Sequence, residues 1–147
     1  MILATWNINS VRLRIKNILD FVKKLNIDVL CLQETKTVND YFPIEDFNKN
    51  GYQYSYLLGQ KSYNGVAILS KIPIVTKTKL KWCNISDARH ISIKLENNVT
   101  IHNFYIPAGG DVPDIKKNLK FKHKLDFLKE MISYFSKDKT NKKVLLG

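Results

Sequence analysis

The chain has 147 residues and a formal net charge of +11, from 24 Lys and Arg against 13 Asp and Glu. This length suits one domain with a real core, and 44% hydrophobic residues exclude a disordered chain. The charge favours a polyanionic partner such as nucleic acid. Because the sequence contains no apolar run that could span a bilayer and only two cysteines, we expect no membrane association and a cytoplasmic, reducing location, nucleoid-associated if the source is bacterial.

The first third of the chain predicts a strand, a helix and a second strand. Residues 2–6 have an apolar strand pattern that ends in the polar cluster Asn7-Ile8-Asn9-Ser10. Ser10 can cap a helix with apolar residues at three- and four-residue spacing, and Asn26 suits its end. Residues 27–33 predict a buried strand that stops at Glu34. In such a βαβ unit the two strands are parallel, so we expect Asn7 and Asn9 close to Glu34.

The remaining residues predict mainly short strands. Residues 37–51 predict a connection with one helical turn near Pro43. Five segments rich in β-branched and aromatic residues then predict an antiparallel meander, at residues 52–58, 65–70, 74–82, 89–95 and 99–106. A helix with a lysine-rich side is predicted from about Asp114 into the Phe135 region, and that side is either a solvated face or a nucleic-acid footprint. Residues 143–147 predict a buried strand with nothing after it, so we expect residues 1–147 to form a single incomplete domain.

Polar groups with complementary chemistry follow three of the predicted strands. These are a carboxylate, two amides and a phenol, with guanidinium groups in the adjoining loops: Glu34, Asn7, Asn9, Tyr105, Arg12 and Arg89. Oxygen ligands suit Mg²⁺ and guanidinium groups suit phosphate, so the pattern predicts metal-assisted phosphate chemistry.

Simpler interpretations of the same residues remain open. Glu34 alone could form an ordinary ion pair with Lys36 at a solvated strand end. His90, His102 and His123 are interpreted as structural, because none follows a strand beside the other polar groups, and this leaves no general base.

Five motifs in order resemble the exonuclease III type of apurinic/apyrimidinic endonuclease, within the endonuclease/exonuclease/phosphatase superfamily. They are Asn7-Ile8-Asn9 with Arg12, Leu32-Gln33-Glu34-Thr35-Lys36, Asn64-Gly65-Val66-Ala67-Ile68-Leu69, Arg89, and Tyr105-Ile106-Pro107-Ala108-Gly109. The resemblance covers essentially the whole chain but only the amino-terminal part of the family's domain. It implies an α/β (α+β) fold, a four-layer αββα sandwich with its carboxy-terminal part missing.

The resemblance also implies a role for each site residue. Glu34 would bind Mg²⁺, or Mn²⁺ in its place, with Asn7 in the metal shell, and Tyr105 would be the catalytic tyrosine near the scissile phosphate. Asn9, Arg12 and Arg89 would place the DNA backbone, while Lys36 would hold Glu34 by a charge-assisted hydrogen bond. The implied reactions are incision 5′ to abasic sites in double-stranded DNA and 3′-to-5′ exonucleolytic removal of nucleotides from 3′ ends.

Two departures from the family pattern limit what these residues could do alone. Ala108 stands where relatives often carry a side-chain amide near the phosphate, and the family's Gly-Asp-x-Asn strand end and later Asp-His pair are not among these 147 residues. We therefore expect a truncated and inactive portion of a nuclease. The alternatives are half of a split enzyme completed by a second chain, a non-enzymatic nucleic-acid-binding remnant, and a superfamily phosphodiesterase that acts on RNA or a small phosphate ester.

Overall fold

The computed structural model describes residues 1–138 and 142–147. Its strands are β1 Leu3–Asn7, β2 Val29–Gln33, β3 Tyr54–Leu58, β4 Val66–Ser70, β5 Ile74–Thr78, β6 His90–Leu95, β7 Thr100–Phe104 and β8 Lys143–Leu146. Its helices are α1 Val11–Leu25, α2 Ile44–Asn48 and α3 Leu119–Lys137, with a 3-10 turn at Asn39–Tyr41.

The chain divides into two compact units. The first comprises Met1–Lys79, Asp87–Tyr105 and Lys142–Gly147, and the second comprises Leu80–Ser86 and Ile106–Asn141. The first unit contains every strand that the structure describes, and the second contains α3. The expectation of a single incomplete domain over residues 1–147 stays a prediction.

The first unit is built from two four-stranded sheets. The first sheet has the order β1-β2-β4-β3, and the second has the order β5-β6-β7-β8. As the βαβ pattern predicts, β1 and β2 are parallel, with Leu3 opposite Val29. A hairpin turn at residues 96–98 joins the antiparallel strands β6 and β7.

The prediction of one continuous meander is wrong. β3 and β4 join the first sheet, in which β4 pairs with β2, while β5, β6 and β7 belong to the second. All five residues of β4 are buried, which requires cover on both faces of that strand. Dividing the five strands between two sheets provides this cover, because each sheet can then bury its apolar face against another layer.

Two apolar layers contain most of the buried apolar residues of the first unit. One lies between α1, α2 and the first sheet and includes Ile18, Leu30 and Phe47. The other lies between the two sheets and includes Cys31 and Ile101. β2 contributes to both layers, so all five of its residues are buried, as its continuous apolar run predicts.

Several element boundaries differ from the predicted ones. Ser10 precedes α1 at a φ of 85° and its side chain makes no capping hydrogen bond, so the predicted cap is wrong. Asn26 does end α1, in the left-handed conformation. α3 begins at Leu119 rather than near Asp114, because the Asn118 side chain accepts from the Lys120 and Phe121 amides and caps the helix there. β5 stops at Thr78, short of the predicted residue 82.

The second unit packs α3 around an aromatic cluster. The ring of Trp82 lies 5.6 Å from that of Phe127 and 5.8 Å from that of Tyr134. Over residues 1–138 and 142–147, none of the helices combines the length and apolar character that a membrane span needs.

Candidate active site

The ends of β1, β2 and the start of β4 are held together by backbone hydrogen bonds beyond the sheet itself. The Ser10 amide donates to the Glu34 carbonyl at 2.7 Å, and the Thr35 amide donates to the Gly65 carbonyl at 3.1 Å. Gly65 has a φ of +91°, and a Cβ there would lie 2.2 Å from Thr35 Oγ1. Only glycine therefore allows β4 to approach the segment that carries Glu34 this closely.

Glu34 is the centre of the polar cluster. Asn7 Nδ2 donates to Glu34 Oε1 at 2.7 Å, and Lys36 Nζ lies 3.0 Å from Glu34 Oε2. The Tyr105 hydroxyl also interacts with this carboxylate. The Glu34 side chain is 19% exposed, so these contacts form in a partly shielded position. The pair with Lys36 is present, but it is one of three interactions rather than the whole environment of Glu34.

These contacts shift two pKa values in opposite directions. Burial works to raise the pKa of Glu34, but hydrogen bonds with Asn7, Lys36 and Tyr105 outweigh it and hold the pKa below its ordinary value of 4.5. For Tyr105, burial and then the neighbouring Glu34 carboxylate raise the pKa above the ordinary 10.0, against a smaller opposing effect of Arg89. At neutral pH the site therefore holds an ionised carboxylate beside a neutral phenol.

Arg89 forms the second side of the cluster with Tyr105. The Arg89 guanidinium carbon lies 4.7 Å from the centre of the Tyr105 ring, and Arg89 Nη1 donates to the Tyr105 carbonyl at 3.2 Å. Asp87 Oδ2 accepts from Arg89 Nε at 2.5 Å. Arg89 is thus oriented from both sides, with its planar group over the ring of the phenol.

Asn9 and Arg12 are both associated with Lys36, the cation that pairs with Glu34. Lys36 Nζ donates to Asn9 Oδ1 at 2.5 Å, and Arg14 Nη1 donates to the Asn9 carbonyl. Arg12, in the first turn of α1, lines a cavity of about 240 Å³ together with Lys36 and Lys61. Among the described residues no carboxylate lines this cavity, so its electrostatic character favours an anion.

The backbone of this region adopts conformations that are uncommon outside glycine. Glu34 and Lys36 have φ values of 53° and 51°, and Asn9 has a φ of 47°. Each such residue costs on the order of 1–3 kcal/mol unless its surroundings hold it. The bonds from the Ser10 amide to the Glu34 carbonyl and from the Lys36 amide to the Asn64 carbonyl provide that support.

Two of the three histidines, His90 and His102, lie beside each other rather than beside the Glu34 carboxylate. His90 Nε2 and His102 Nδ1 lie 3.1 Å apart, and both residues are buried. Burial first, and then His102, lower the pKa of His90 to about 3. His123 belongs to the second unit, where its ring lies 6.3 Å from that of Phe127.

The donors around Glu34 fit a hard divalent cation. Mg²⁺ in proteins is commonly held by one or two carboxylates, with water and phosphate oxygens completing its shell. Glu34 supplies one carboxylate, and Asn7 donates its side-chain nitrogen to that carboxylate at 2.7 Å. In the described part of the chain no group of three or more His, Cys, Asp or Glu could hold a metal.

Some residues of the site were not predicted from the sequence. They are Asp87, which orients Arg89, Arg14, which holds Asn9, Lys61, which lines the cavity, and the buried amides Gln33 and Asn103. Gln33 carried a usable signal, because it ends an otherwise apolar strand, whereas the strand of Asn103 also contains Thr100 and His102. Asp87 and Lys61 lie in loops, where no periodic pattern indicates a neighbour.

Known proteins resemble this chain in both sequence and structure. Exodeoxyribonuclease III of Haemophilus influenzae is 32% identical over 151 residues, which cover 97% of this chain and 55% of that protein. The DNA repair nuclease APEX1 of Danio rerio is 37% identical over 75 residues, or 48% of this chain and 24% of that protein. The chain thus spans between about a quarter and a little over half of the length of these relatives.

Solved structures share the fold. An AP endonuclease from Archaeoglobus fulgidus superposes with a TM-score of 0.82 at 32% identity, covering 93% of this chain and 52% of that one. The 3′-5′ exonuclease NExo from Neisseria meningitidis superposes with a TM-score of 0.84 at 28% identity, covering 99% and 56% of the two chains. The predicted fold, that of the AP endonucleases and exonucleases, is confirmed by these superpositions.

The family model of the Endonuclease/Exonuclease/phosphatase family matches residues 4–135. This match extends from β1 to the last turns of α3 and includes every site residue described above. The chain therefore belongs to the Endonuclease/Exonuclease/phosphatase family.

Proposed function

We propose that this chain supplies part of the active site of a Mg²⁺-dependent DNA-repair phosphodiesterase of the exonuclease III and AP endonuclease type. Its substrate would be double-stranded DNA with abasic sites or 3′ ends. The observation that carries the proposal is the convergence of Asn7, Glu34 and Tyr105, from three strand ends, on one carboxylate centre. A relative bound to a product DNA hairpin, the 3′ phosphatase NExo from Neisseria, supports DNA as the substrate class.

Each residue of the cluster has a role that its contacts support. Arg12 and Lys36 would bind backbone phosphate, because both line a cationic cavity next to Glu34. Asn9, held by Lys36 and Arg14, would donate its amide to the same backbone. Lys36 would also keep Glu34 ionised and oriented.

Tyr105 and Arg89 would act nearer the reacting phosphate. The pKa of Tyr105 is raised, so its phenol stays protonated and can donate a hydrogen bond to a phosphate oxygen as charge builds up there. Arg89 would stabilise the same charge while its pair with Asp87 keeps the guanidinium over the ring.

Glu34 and the Asn7 side-chain oxygen would hold the Mg²⁺ ion. When bound, such an ion neutralises phosphate charge and lowers the pKa of water. The lowered pKa of Glu34 supports this assignment, since an ionised carboxylate is the form that binds a cation.

A second candidate function is binding of DNA without cleavage. Glu34 is the one carboxylate that the described residues bring into direct contact with Asn7 and Tyr105, and the superposed relatives are nearly twice as long as this chain. Removing groups that act as one catalytic unit costs orders of magnitude in rate. We therefore expect the 147 residues to bind DNA and Mg²⁺ but to cleave only when a second polypeptide or further sequence completes the site.

The test is binding of a fluorescent duplex with an abasic-site analogue, measured by anisotropy at several salt concentrations. Arg12→Ala should weaken binding about 10-fold, the effect of losing one charge-assisted hydrogen bond. It should also reduce the slope of log affinity against log salt by about 1. Lys24→Ala, on the last turn of the same helix, is the matched control and should leave both quantities near the wild-type values.

The role of Glu34 is tested in the same assay with added Mg²⁺. Mg²⁺ should strengthen binding of the wild-type protein, and Glu34→Gln should abolish that increase, whereas the exposed control Glu45→Gln should retain it. Equal binding by Arg12→Ala and Lys24→Ala would contradict the DNA-binding surface. Mg²⁺-dependent incision of the duplex by these 147 residues, lost in Glu34→Gln, would contradict the expected inactivity but support the nuclease assignment.

A further inference from the structure

On three strands, one face changes from apolar to polar residues as the strand approaches the cluster. On β7 and the residue after it, this face carries Ile101, Asn103 and Tyr105, of which Ile101 belongs to the apolar layer between the sheets. On β2 it carries Cys31 and Gln33, and Gln33 directly precedes Glu34. On β1 it carries Leu3, Thr5 and Asn7, of which Thr5 and Asn7 are exposed. A polar layer therefore separates the apolar core from the site.

Asn103 connects the two sheets through this layer. Its side-chain amide donates to the Leu32 carbonyl at 3.0 Å and to the Ala67 carbonyl at 2.9 Å, and both acceptors lie in the first sheet. Its side-chain oxygen accepts from Gln33 Nε2 at 2.6 Å. Asn103 is 0% exposed, so these bonds form away from water.

The position of Asn103 links it to the two central residues of the site. Gln33 directly precedes Glu34, and Asn103 comes two residues before Tyr105. The hydrogen-bonded amide pair is therefore next along both segments to the contact between Glu34 and Tyr105. The pair at the site spans the two sheets, because Glu34 follows a strand of one sheet and Tyr105 follows a strand of the other. Apolar side chains alone would tolerate small sliding of one sheet over the other, whereas three directional hydrogen bonds would not.

We propose that Asn103, acting through Gln33 and the carbonyls of Leu32 and Ala67, is a positioning residue that sets the contact between Glu34 and Tyr105. It touches neither substrate nor metal. Its significance for catalysis rests on the proposed function, since that function gives the Glu34–Tyr105 pair its purpose.

The test is a double-mutant cycle on Glu34→Gln and Tyr105→Phe, measured by urea unfolding in three backgrounds. In the wild-type background the two changes should be non-additive, because the residues interact. In an Asn103→Leu background, which keeps the volume but removes the three bonds, that coupling should be lost. In a Ser70→Ala background it should persist, because Ser70 is equally buried and bonds to Ile72 within its own turn.

This readout separates positioning from general stabilisation. A substitution that merely destabilises the fold would lower the free energy of unfolding of all four proteins in the cycle by the same amount and leave the coupling unchanged. That result would overturn the proposal. Gln33→Met gives a second background, since it removes the Asn103 Oδ1 bond but keeps the two bonds to the carbonyls, and it should reduce the coupling. If neither Asn103→Leu nor Gln33→Met folds while Ser70→Ala does, the proposal is also overturned, because the amides would then hold the whole unit together. The cycle uses no DNA, so failure of the proposed function is a separate result.

Discussion

The space between the two sheets contains two regions, one held by apolar packing and the other by hydrogen bonds. Where β2 begins, Val29 and Cys31 pack among apolar residues such as Ile68 and Ile93, all of them almost fully buried. Where β2 ends, Gln33 and Glu34 meet Asn103 and Tyr105 through hydrogen bonds. The same strands serve both regions, so a two-residue step along a strand replaces packing by directed polar contacts. The apolar region stabilises the unit, and the polar region contains the groups of the proposed site.

The largest expected effect lies in the apolar region. Ile68→Ala should lower the free energy of unfolding by about 2–5 kcal/mol, since it removes a fully buried side chain and leaves a cavity. Urea unfolding measures this loss, with Val75→Ala on β5 as control because Val75 is 65% exposed. Similar losses in both variants would show that the layer between the sheets is not the stabilising core.

Gly65 lies at the boundary between the two regions and should give the next largest effect. Gly65→Ala forces a Cβ to within 2.2 Å of Thr35 Oγ1 at a φ of +91°, and the backbone strain alone costs about 1–3 kcal/mol. Gly51→Ala is the control, because Gly51 has a similar φ of +89° but only the Lys71 side chain nearby, at 3.8 Å. Urea unfolding should show the greater loss for Gly65→Ala. Equal losses would mean that strain, and not the close approach to Thr35, decides the cost.

Glu34→Gln should have a smaller effect that depends on pH. The folded-state pKa of Glu34 is lowered, so its stabilising contribution is present above the ordinary value of 4.5 and is lost as the pH falls through the folded-state value. The wild-type protein should therefore be more stable than Glu34→Gln at pH 7, with the difference vanishing in acid. Thermal unfolding across this pH range measures it. A difference that is constant with pH would contradict the depressed pKa.

Arg89→Lys should have the smallest effect on stability. Lysine keeps the charge beside Asp87 but loses the planar group over the Tyr105 ring, which is worth about 0.5–1 kcal/mol. Thermal unfolding should show this small loss, while affinity for the abasic-site duplex should fall further because lysine cannot make the same directed contacts with phosphate. If stability fell as much as in Ile68→Ala, Arg89 would belong to the structural region of the molecule.

Much of the fold and the central part of the site could be predicted from local patterns. The buried run of β2 and the alternation of apolar spacing in α1 depend on near neighbours in sequence, and both elements formed where expected. The meeting of Asn7 with Glu34 followed from the parallel pairing of β1 and β2. The resemblance implied two sheets, but which of the later strands joins which sheet was not predicted, because strand patterns report which faces are buried and not which strand is the partner.

The sequence by itself determined which residues have the chemistry of a metal and phosphate site, since Glu34, Asn7, Tyr105 and the arginines stand at strand ends or in loops that its patterns indicate. Only the tertiary structure decided how these groups are held. The stack of Arg89 on Tyr105, the pair of Arg89 with Asp87 and the bonds of Asn103 to Gln33 and two carbonyls of the other sheet all depend on spacings of a few ångströms. Such spacings arise from packing between segments up to 71 residues apart, and no local preference of the chain encodes them.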